Sequence, residues 1–171
     1  MLYSKLKRYV VKTPLGDKVG KVEDIIFNGE TWKVEYIVIS EGFLKKTRIG
    51  VKPEDVKIDD ENEAIIVSPE VEHIEISSDI SSIHRIFFSD FKRKGVLSSD
   101  DVKAGHVYDI DVATQLKRWE VWKILIDTGW KNRRLRIRPE QIKALGEDLI
   151  IDLTREDIER LSKPELPQEE E

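Results

Sequence analysis

Short runs of alternating apolar and polar residues dominate the chain and predict β-strands. The clearest run, residues 134–138 (Arg-Leu-Arg-Ile-Arg), would place Leu135 and Ile137 inward and the three arginines outward. Residues 21–27 and 32–38 are rich in β-branched and aromatic side chains, which favour strands. The pattern therefore predicts a mainly β protein made of short strands.

Turn and capping residues separate these strands. Asn28-Gly29 predicts a two-residue hairpin turn, because both residues tolerate positive φ. Pro53 and Pro139 each follow a strand and are predicted to begin a short helical turn. Thr154, followed by acidic residues, predicts the N-cap of a C-terminal helix.

The same unit of sequence occurs twice, at an offset that moves only between 85 and 87 residues. Each shift of the offset falls where a turn can absorb it. Five matched blocks in one order indicate two copies of one module. The blocks are 18–25 with 103–110, 32–39 with 119–126, 42–43 with 129–130, 49–56 with 137–142, and 64–67 with 149–153.

The repeat sets the predicted domain organisation. We expect a first module at residues 1–76 and a second at 92–163, joined by an inter-module segment at 77–91. Within that segment, residues 83–91 are too apolar for a free linker and are expected to pack between the modules or lead into the second. Residues 164–171 are rich in proline and glutamate and are predicted to be a disordered tail.

Composition narrows the class of protein. Apolar residues make up 39% of the 171 residues and charged residues 37%, which excludes a disordered polypeptide. The chain has no cysteine, so disulfides and thiolate metal sites are excluded. No apolar run approaches the ~20 residues of a membrane helix and no signal region is recognisable, so we expect a cytoplasmic protein. The lack of cysteine, with few Asn and Gln, is typical of thermophiles.

Charge is distributed unequally along the chain. Residues 1–76 carry 12 basic and 15 acidic side chains, residues 77–163 carry 17 and 15, and the last eight residues add four glutamates. An acidic first module and a basic second module could associate head to tail with further copies. The net charge of −5 argues against general nucleic-acid binding.

The titratable residues do not indicate catalytic or metal chemistry. His73, His84 and His106 lack the spacing of metal ligands and do not adjoin a nucleophile motif, so we interpret them as surface or interface residues. Asp24 and Asp109 occupy equivalent positions in the repeats and are predicted to bond backbone amides. We therefore expect no enzyme activity, no cofactor and no metal site.

Two groups of side chains are candidates for contact with a partner. The arginines of residues 134–138 and the nearby Trp130 could bind single-stranded RNA or an acidic protein, or could form a solvated face. The large aromatic residues cannot all be interior in modules this small, and exposed aromatics often anchor interfaces. For Phe87 and Phe91, packing at the joint between the modules is the alternative. The candidates are Phe43, Phe87, Phe88, Phe91, Trp130, Arg134, Arg136 and Arg138.

The opening of the first repeat resembles the PRC-barrel family. Residues 16–24 follow that family's pattern G-x-x-(L/V)-G-x-V-x-D, and residues 51–56 (Val-Lys-Pro-Glu-Asp-Val) resemble its I-P-x-x-x-V step. The resemblance covers residues 5–76 and 92–161, although the second copy has Asp-Asp-Val at 100–102 in place of the first glycine. It implies two tandem small PRC-type β-barrels with short helical turns and a C-terminal helix.

The resemblance also implies a function. PRC barrels occur in the H subunit of photosynthetic reaction centres, in the C-terminal domain of a ribosome-maturation protein, and as small archaeal proteins. Tandem archaeal versions are associated with cell division, as adaptors that bind one another and the SepF protein of the FtsZ ring. The chain resembles these most, because it lacks the membrane helix of the first group and the N-terminal domain of the second. We expect a non-enzymatic adaptor, cytoplasmic and recruited to the division site, with SepF-like or sibling PRC-barrel partners in a homo- or hetero-oligomer. The alternative is an RNA- or ribosome-associated maturation factor.

Overall fold

The computed structural model describes residues 1–42, 47–77, 84–115 and 118–164. Within it the chain divides into two compact units. The first unit comprises Met1–Ser89 and Val112–Val121, and the second comprises Asp90–Asp111 and Trp122–Glu171. The module boundaries predicted from the sequence lie elsewhere and stay a prediction.

The first unit is built on an eight-stranded sheet in the order β5-β6-β1-β2-β3-β4-β7, with β8 also paired to β2. The β1–β6 pair is parallel and the other pairs are antiparallel. Its elements are α1 (Tyr3–Leu6), β1 (Val10–Lys12), β2 (Lys18–Asn28), β3 (Val34–Glu41), β4 (Thr47–Val51), a 3-10 helix (Pro53–Asp55), β5 (Val56–Asp59), β6 (Ala64–Val67), β7 (His73–Glu75) and β8 (Arg85–Phe87).

The second sheet has seven strands in the order β13-β14-β9-β10-β11-β12-β15. Its β9–β14 pair is parallel, as the β1–β6 pair is in the first sheet. The elements are α2 (Phe88–Phe91), β9 (Gly95–Leu97), β10 (Lys103–Ala113), β11 (Glu120–Asp127), β12 (Arg133–Ile137), a 3-10 helix (Pro139–Gln141), β13 (Ile142–Leu145), β14 (Leu149–Ile151), α3 (Arg155–Leu161) and β15 (Lys163–Pro164).

The same order of elements therefore occurs twice, from α1 to β6 and again from α2 to β14. The mainly β prediction is confirmed, and the two copies correspond element by element. Short apolar strands provide the core of each unit because alternate side chains point to the same face of a sheet. Fully buried examples are Tyr9, Ile25, Phe27, Ile37 and Ile65 in the first unit, and Phe91, Val107, Ile110, Ile124 and Ile151 in the second.

One glycine in each copy is required by a close approach of two strands. A Cβ at Gly20 would lie 2.1 Å from the Ser40 carbonyl oxygen, and a Cβ at Gly105 would lie 1.9 Å from that of Asp127. Both glycines adjoin a register shift, between β1 and β2 in one copy and between β9 and β10 in the other. The second glycine of the family pattern is therefore fixed by backbone packing beside a bulge.

The predicted helix signals are confirmed. A 3-10 helix begins at Pro53 and another at Pro139. Thr154 caps α3 in a reciprocal arrangement, in which its hydroxyl accepts the Asp157 N–H at 3.1 Å and the Asp157 carboxylate accepts the Thr154 N–H at 3.2 Å.

The predicted two-residue turn at Asn28-Gly29 is wrong. The chain instead makes a four-residue loop, because the Asn28 N–H donates to the Lys33 carbonyl at 2.9 Å. The Asn28 side-chain oxygen accepts the N–H groups of Glu30 and Thr31, and Trp32 takes the positive φ of +60°. Asparagine therefore acts here as an Asx-turn residue, which lengthens the loop.

Equivalent segments of the two copies meet inside the first unit. The Val34 N–H donates to the Trp119 carbonyl at 2.9 Å, and the Val121 N–H donates to the Trp32 carbonyl at 2.8 Å. These four residues correspond to one another in the repeat, so the two bonds are an approximately symmetric pair around an antiparallel bridge of Lys33 with Glu120.

The structure also places most of the inter-module segment. Its end forms β8, which pairs with β2 in the first unit, followed by α2. Residues 78–83 and the tail at 165–171 lie outside the described residues.

Candidate interaction surface

The arginine-rich strand β12 alternates as the sequence predicts. Leu135 and Ile137 are buried, whereas Arg136 and Arg138 are exposed and Arg134 is half-buried. The alternation arises because successive side chains of a strand point to opposite faces. Three of the predicted partner-contact residues therefore share one face of the second sheet.

The neighbouring strands extend this face. In the register of β11 with β12, Leu125 lies opposite Arg136 and Asp127 lies opposite Arg134. Alternation along β11 then places Lys123 on the same side. On β10, the Tyr108 ring stacks with Arg134, whose guanidinium carbon lies 4.3 Å from the ring centroid. We call this surface, made of Tyr108, Lys123, Arg134, Arg136 and Arg138, the arginine face.

The corresponding face of the first unit is a second small core. Ile26, Val38 and Ile76 are buried there, and Phe87 and Ile74 pack against them. Register equivalence matches Val38 of that cluster to Leu125 of the arginine face. Strands β7 and β8 supply the residues that cover the cluster.

Substitutions between the copies produce this difference. Arg48 on β4 corresponds to Arg134, but it pairs with the Glu23 carboxylate at 3.4 Å, whereas Arg134 stacks on Tyr108 at the position of Glu23. Likewise Gly50 corresponds to Arg136. A Cβ at Gly50 would lie 2.9 Å from Ile76, so packing of the covering segment requires glycine in the first copy.

Trp130 lies outside the arginine face, in the turn between β11 and β12. Its side chain is 43% exposed. The Lys131 ammonium and the Arg133 guanidinium each lie 5.2 Å from the centre of its ring. The turn is held by the Asp127 carboxylate, which accepts the Gly129 N–H at 2.8 Å, so the indole is presented from an ordered loop.

The predicted aromatic candidates have different environments. Phe88 and Phe91 are 1% and 0% exposed, so their side chains offer no surface to a partner in this structure. Phe87 is partly buried, and the Arg48 guanidinium lies 5.9 Å from its ring centre. Phe43 lies outside the described residues.

Sequence reasoning missed Tyr108, Lys123 and the exposed Trp122. Trp122 is 42% exposed, and the Lys123 ammonium lies 4.1 Å from the centre of its ring. A signal was present in the repeat, because Tyr108 replaces Glu23 at an equivalent position. Register was needed to see that Tyr108 and Arg134 meet.

The aspartates at equivalent positions have a structural role, as predicted. The Asp24 carboxylate accepts the Ile25 N–H at 2.9 Å, and the Asp109 carboxylate accepts the Ile110 N–H at 2.8 Å. Asp24 also accepts the N–H and hydroxyl of Ser89, at 3.2 and 2.5 Å. Burial raises the pKa of the Asp24 carboxyl above its usual value, although the bonds from Ser89 and Ile25 act in the opposite direction.

The histidines are exposed, and His84 lies 3.2 Å from the Glu30 carboxylate. Among the described residues, the His, Asp and Glu side chains form no group of three that could hold a metal ion. No helix in the described ranges has the length and hydrophobicity needed to cross a membrane.

Comparison with known families agrees with the first copy of the repeat. Residues 1–74 match the model of the PRC-barrel domain. This confirms the resemblance for the first copy, and membership of the second copy stays a prediction. A comparison of the chain with curated proteins found no match.

Proposed function

We propose that the chain is a non-enzymatic protein–protein adaptor made of two PRC-type barrel modules, and that its arginine face binds an acidic partner protein. The observation that carries this proposal is the difference between the copies. One side of the sheet is a covered apolar cluster in the first unit and a basic surface in the second. A fold requirement alone does not call for this change, because both copies have the same order of elements.

The chemistry of the arginine face suits carboxylates. Stacking on Tyr108 restricts the Arg134 side chain, and a guanidinium so held can present its N–H groups in the planar fork that matches a carboxylate. Arg136 and Arg138 are exposed beside it. Electrostatic complementarity of this kind contributes most to association rate and partner selection.

The resemblance supplies the finer proposal. Tandem PRC-barrel proteins of archaea act in cell division, so SepF-like proteins or sibling PRC-barrel proteins are the proposed partners. A second copy of the chain is a further possible partner. An open groove of the first unit, about 2070 Å³ in volume, has acidic residues on its wall that could meet the arginine face: Glu54, Asp55, Asp59, Asp60 and Glu61.

Affinity purification of the tagged full chain from its own cells tests the proposal. The test variant is Arg136→Glu with Arg138→Glu. The matched control is Lys52→Glu with Lys57→Glu, where Lys52 occupies the position of the first copy that corresponds to Arg138. Lysates are nuclease-treated at low salt, and recovered proteins are quantified by mass spectrometry.

We expect the arginine variant to lose its acidic partners by at least about tenfold, and the lysine control to retain them. Equal recovery by both variants would exclude the arginine face as the binding surface. Recovery of SepF, FtsZ or a PRC-barrel protein would support the division role, and light scattering at low and high salt would report self-association.

RNA binding is the second candidate, favoured by the cations that lie near the exposed Trp122 and Trp130 rings. Binding of a labelled single-stranded RNA would then weaken steeply between about 50 and 200 mM salt, because phosphate contacts release counterions. No detectable binding at 50 mM salt would remove this candidate.

A further inference from the structure

An open groove in the second unit lies between α3 and the start of β10. Its apolar lining includes Val102, Ala104, Ile158 and the exposed Trp130, and its volume is about 450 Å³. The groove is therefore wide enough for one large apolar side chain with adjoining backbone.

The rim of this groove is basic. Lys103 lines it and is exposed. Lys131 and Arg133 lie over the Trp130 ring at 5.2 Å each. Arg155 and Glu159 also line the groove but pair with each other at 3.1 Å, so their charges largely offset. An apolar groove with this rim suits a peptide that carries one large apolar residue followed by carboxylates.

The described part of the chain leads toward this site. Strand β15 runs antiparallel to β12, with Lys163 opposite Arg134 and Pro164 opposite Arg133. The antiparallel direction carries the next residue past Arg133 toward the turn that holds Trp130.

The residues that follow have the matching chemistry. Residues 165–171 contain one large apolar side chain, Leu166, and four glutamates. Fully extended, two residues reach about 7 Å and seven reach about 23 Å, so Leu166 and the glutamates are within range of Trp130 and its rim.

We propose that residues 165–171 occupy the groove of their own unit, with Leu166 against Trp130 and the glutamates at Lys103, Lys131 and Arg133. An intramolecular arrangement is favoured because the short connection from Pro164 gives the segment a high effective concentration. An acidic peptide from another protein then enters the groove only when the segment leaves it. This inference does not depend on the arginine face.

Acrylamide quenching of Trp130 fluorescence in the full chain tests the inference. Trp122→Phe provides the background, because Trp32 and Trp119 are 9% and 4% exposed and Trp130 is then the exposed indole. In that background the test variant is Leu166→Ser and its matched control is Leu15→Ser, since Leu15 is an exposed leucine of the first unit.

We expect Leu166→Ser to raise the quenching constant about twofold, with no change for Leu15→Ser. A second variant, with Glu169, Glu170 and Glu171 replaced by Lys, should raise it similarly without touching the apolar contact. Unchanged quenching in both tail variants would overturn the inference. Quenching of the parent that decreases with protein concentration between about 1 and 100 µM would also overturn it, since the segment would then bind a second copy.

Discussion

Asp24 allows the contribution of one buried carboxylate to be measured. Its oxygens accept hydrogen bonds from the N–H of buried Ile25 and from the N–H and hydroxyl of Ser89, which tie β2 to the start of α2. Asp24→Ala leaves the Ile25 donor unsatisfied, at a cost of about 1–3 kcal/mol, and removes two further bonds of about 0.5–1.5 kcal/mol each. Some of this is offset because a buried charge is also removed. We expect a net loss of about 3 kcal/mol, or roughly 6–12 °C in Tm.

The pH dependence separates charge from hydrogen bonding. Burial raises the pKa of Asp24 above 3.8, so the folded state binds its proton more tightly than the unfolded state does. The resulting stabilisation is fully present below the unfolded pKa and is lost as pH rises through the folded pKa. Asp24→Asn keeps an acceptor oxygen and has no such titration, so wild type should lose stability relative to Asp24→Asn as pH rises above about 4.

Urea unfolding followed by circular dichroism, at pH values from about 3.5 to 7, provides the assay. Asp17→Ala is the control, because Asp17 is an exposed residue of the same unit, and it should change stability by less than about 0.5 kcal/mol. The reasoning fails if Asp24→Ala is as stable as Asp17→Ala. It also fails if wild type gains stability relative to Asp24→Asn as pH increases.

Two further changes test the backbone. Gly105→Ala should cost more than about 3 kcal/mol by urea unfolding, because Gly105 has φ +112° and the added Cβ would clash with the Asp127 carbonyl; Gly129→Ala, at φ +66° with no neighbour within 4 Å, should cost about 1–2 kcal/mol, and equal losses would contradict this. Thr154→Ala should lower stability by about 1 kcal/mol through loss of the Asp157 N–H bond, whereas Thr154→Ser should restore most of it; an unchanged Tm for the alanine variant would exclude a role for the cap.

Local signals predicted much of the fold. Pro53, Pro139 and Thr154 act through their own backbone neighbours, so sequence alone identified the helical turns and the cap. Asn28 misled because asparagine favours both a primed turn and an Asx turn, and the choice depends on how Trp32 packs against Phe27, at 5.5 Å between ring centroids.

The candidate site was predicted only in part. Alternation identified Arg136 and Arg138 as outward-facing, because it depends on one strand. Pairing of Tyr108 with Arg134 depends on the register of three strands, which residue periodicity does not specify. Burial of Phe88 and Phe91 likewise depends on how a short helix packs on its unit.

Comparison of the two copies separates residues that the fold requires from residues that it permits to vary. The glycine beside the bulge, the aspartate that bonds the next backbone amide, and the proline that starts the 3-10 helix occur in both copies and have the same backbone role. The outer face of the sheet does not follow this rule, because an ion pair and a covered apolar cluster are replaced by a stacked arginine and exposed basic side chains. Since one backbone supports both surfaces, binding is the simplest explanation for the basic one, and the variants at Arg136 and Arg138 test it without disturbing what the copies share.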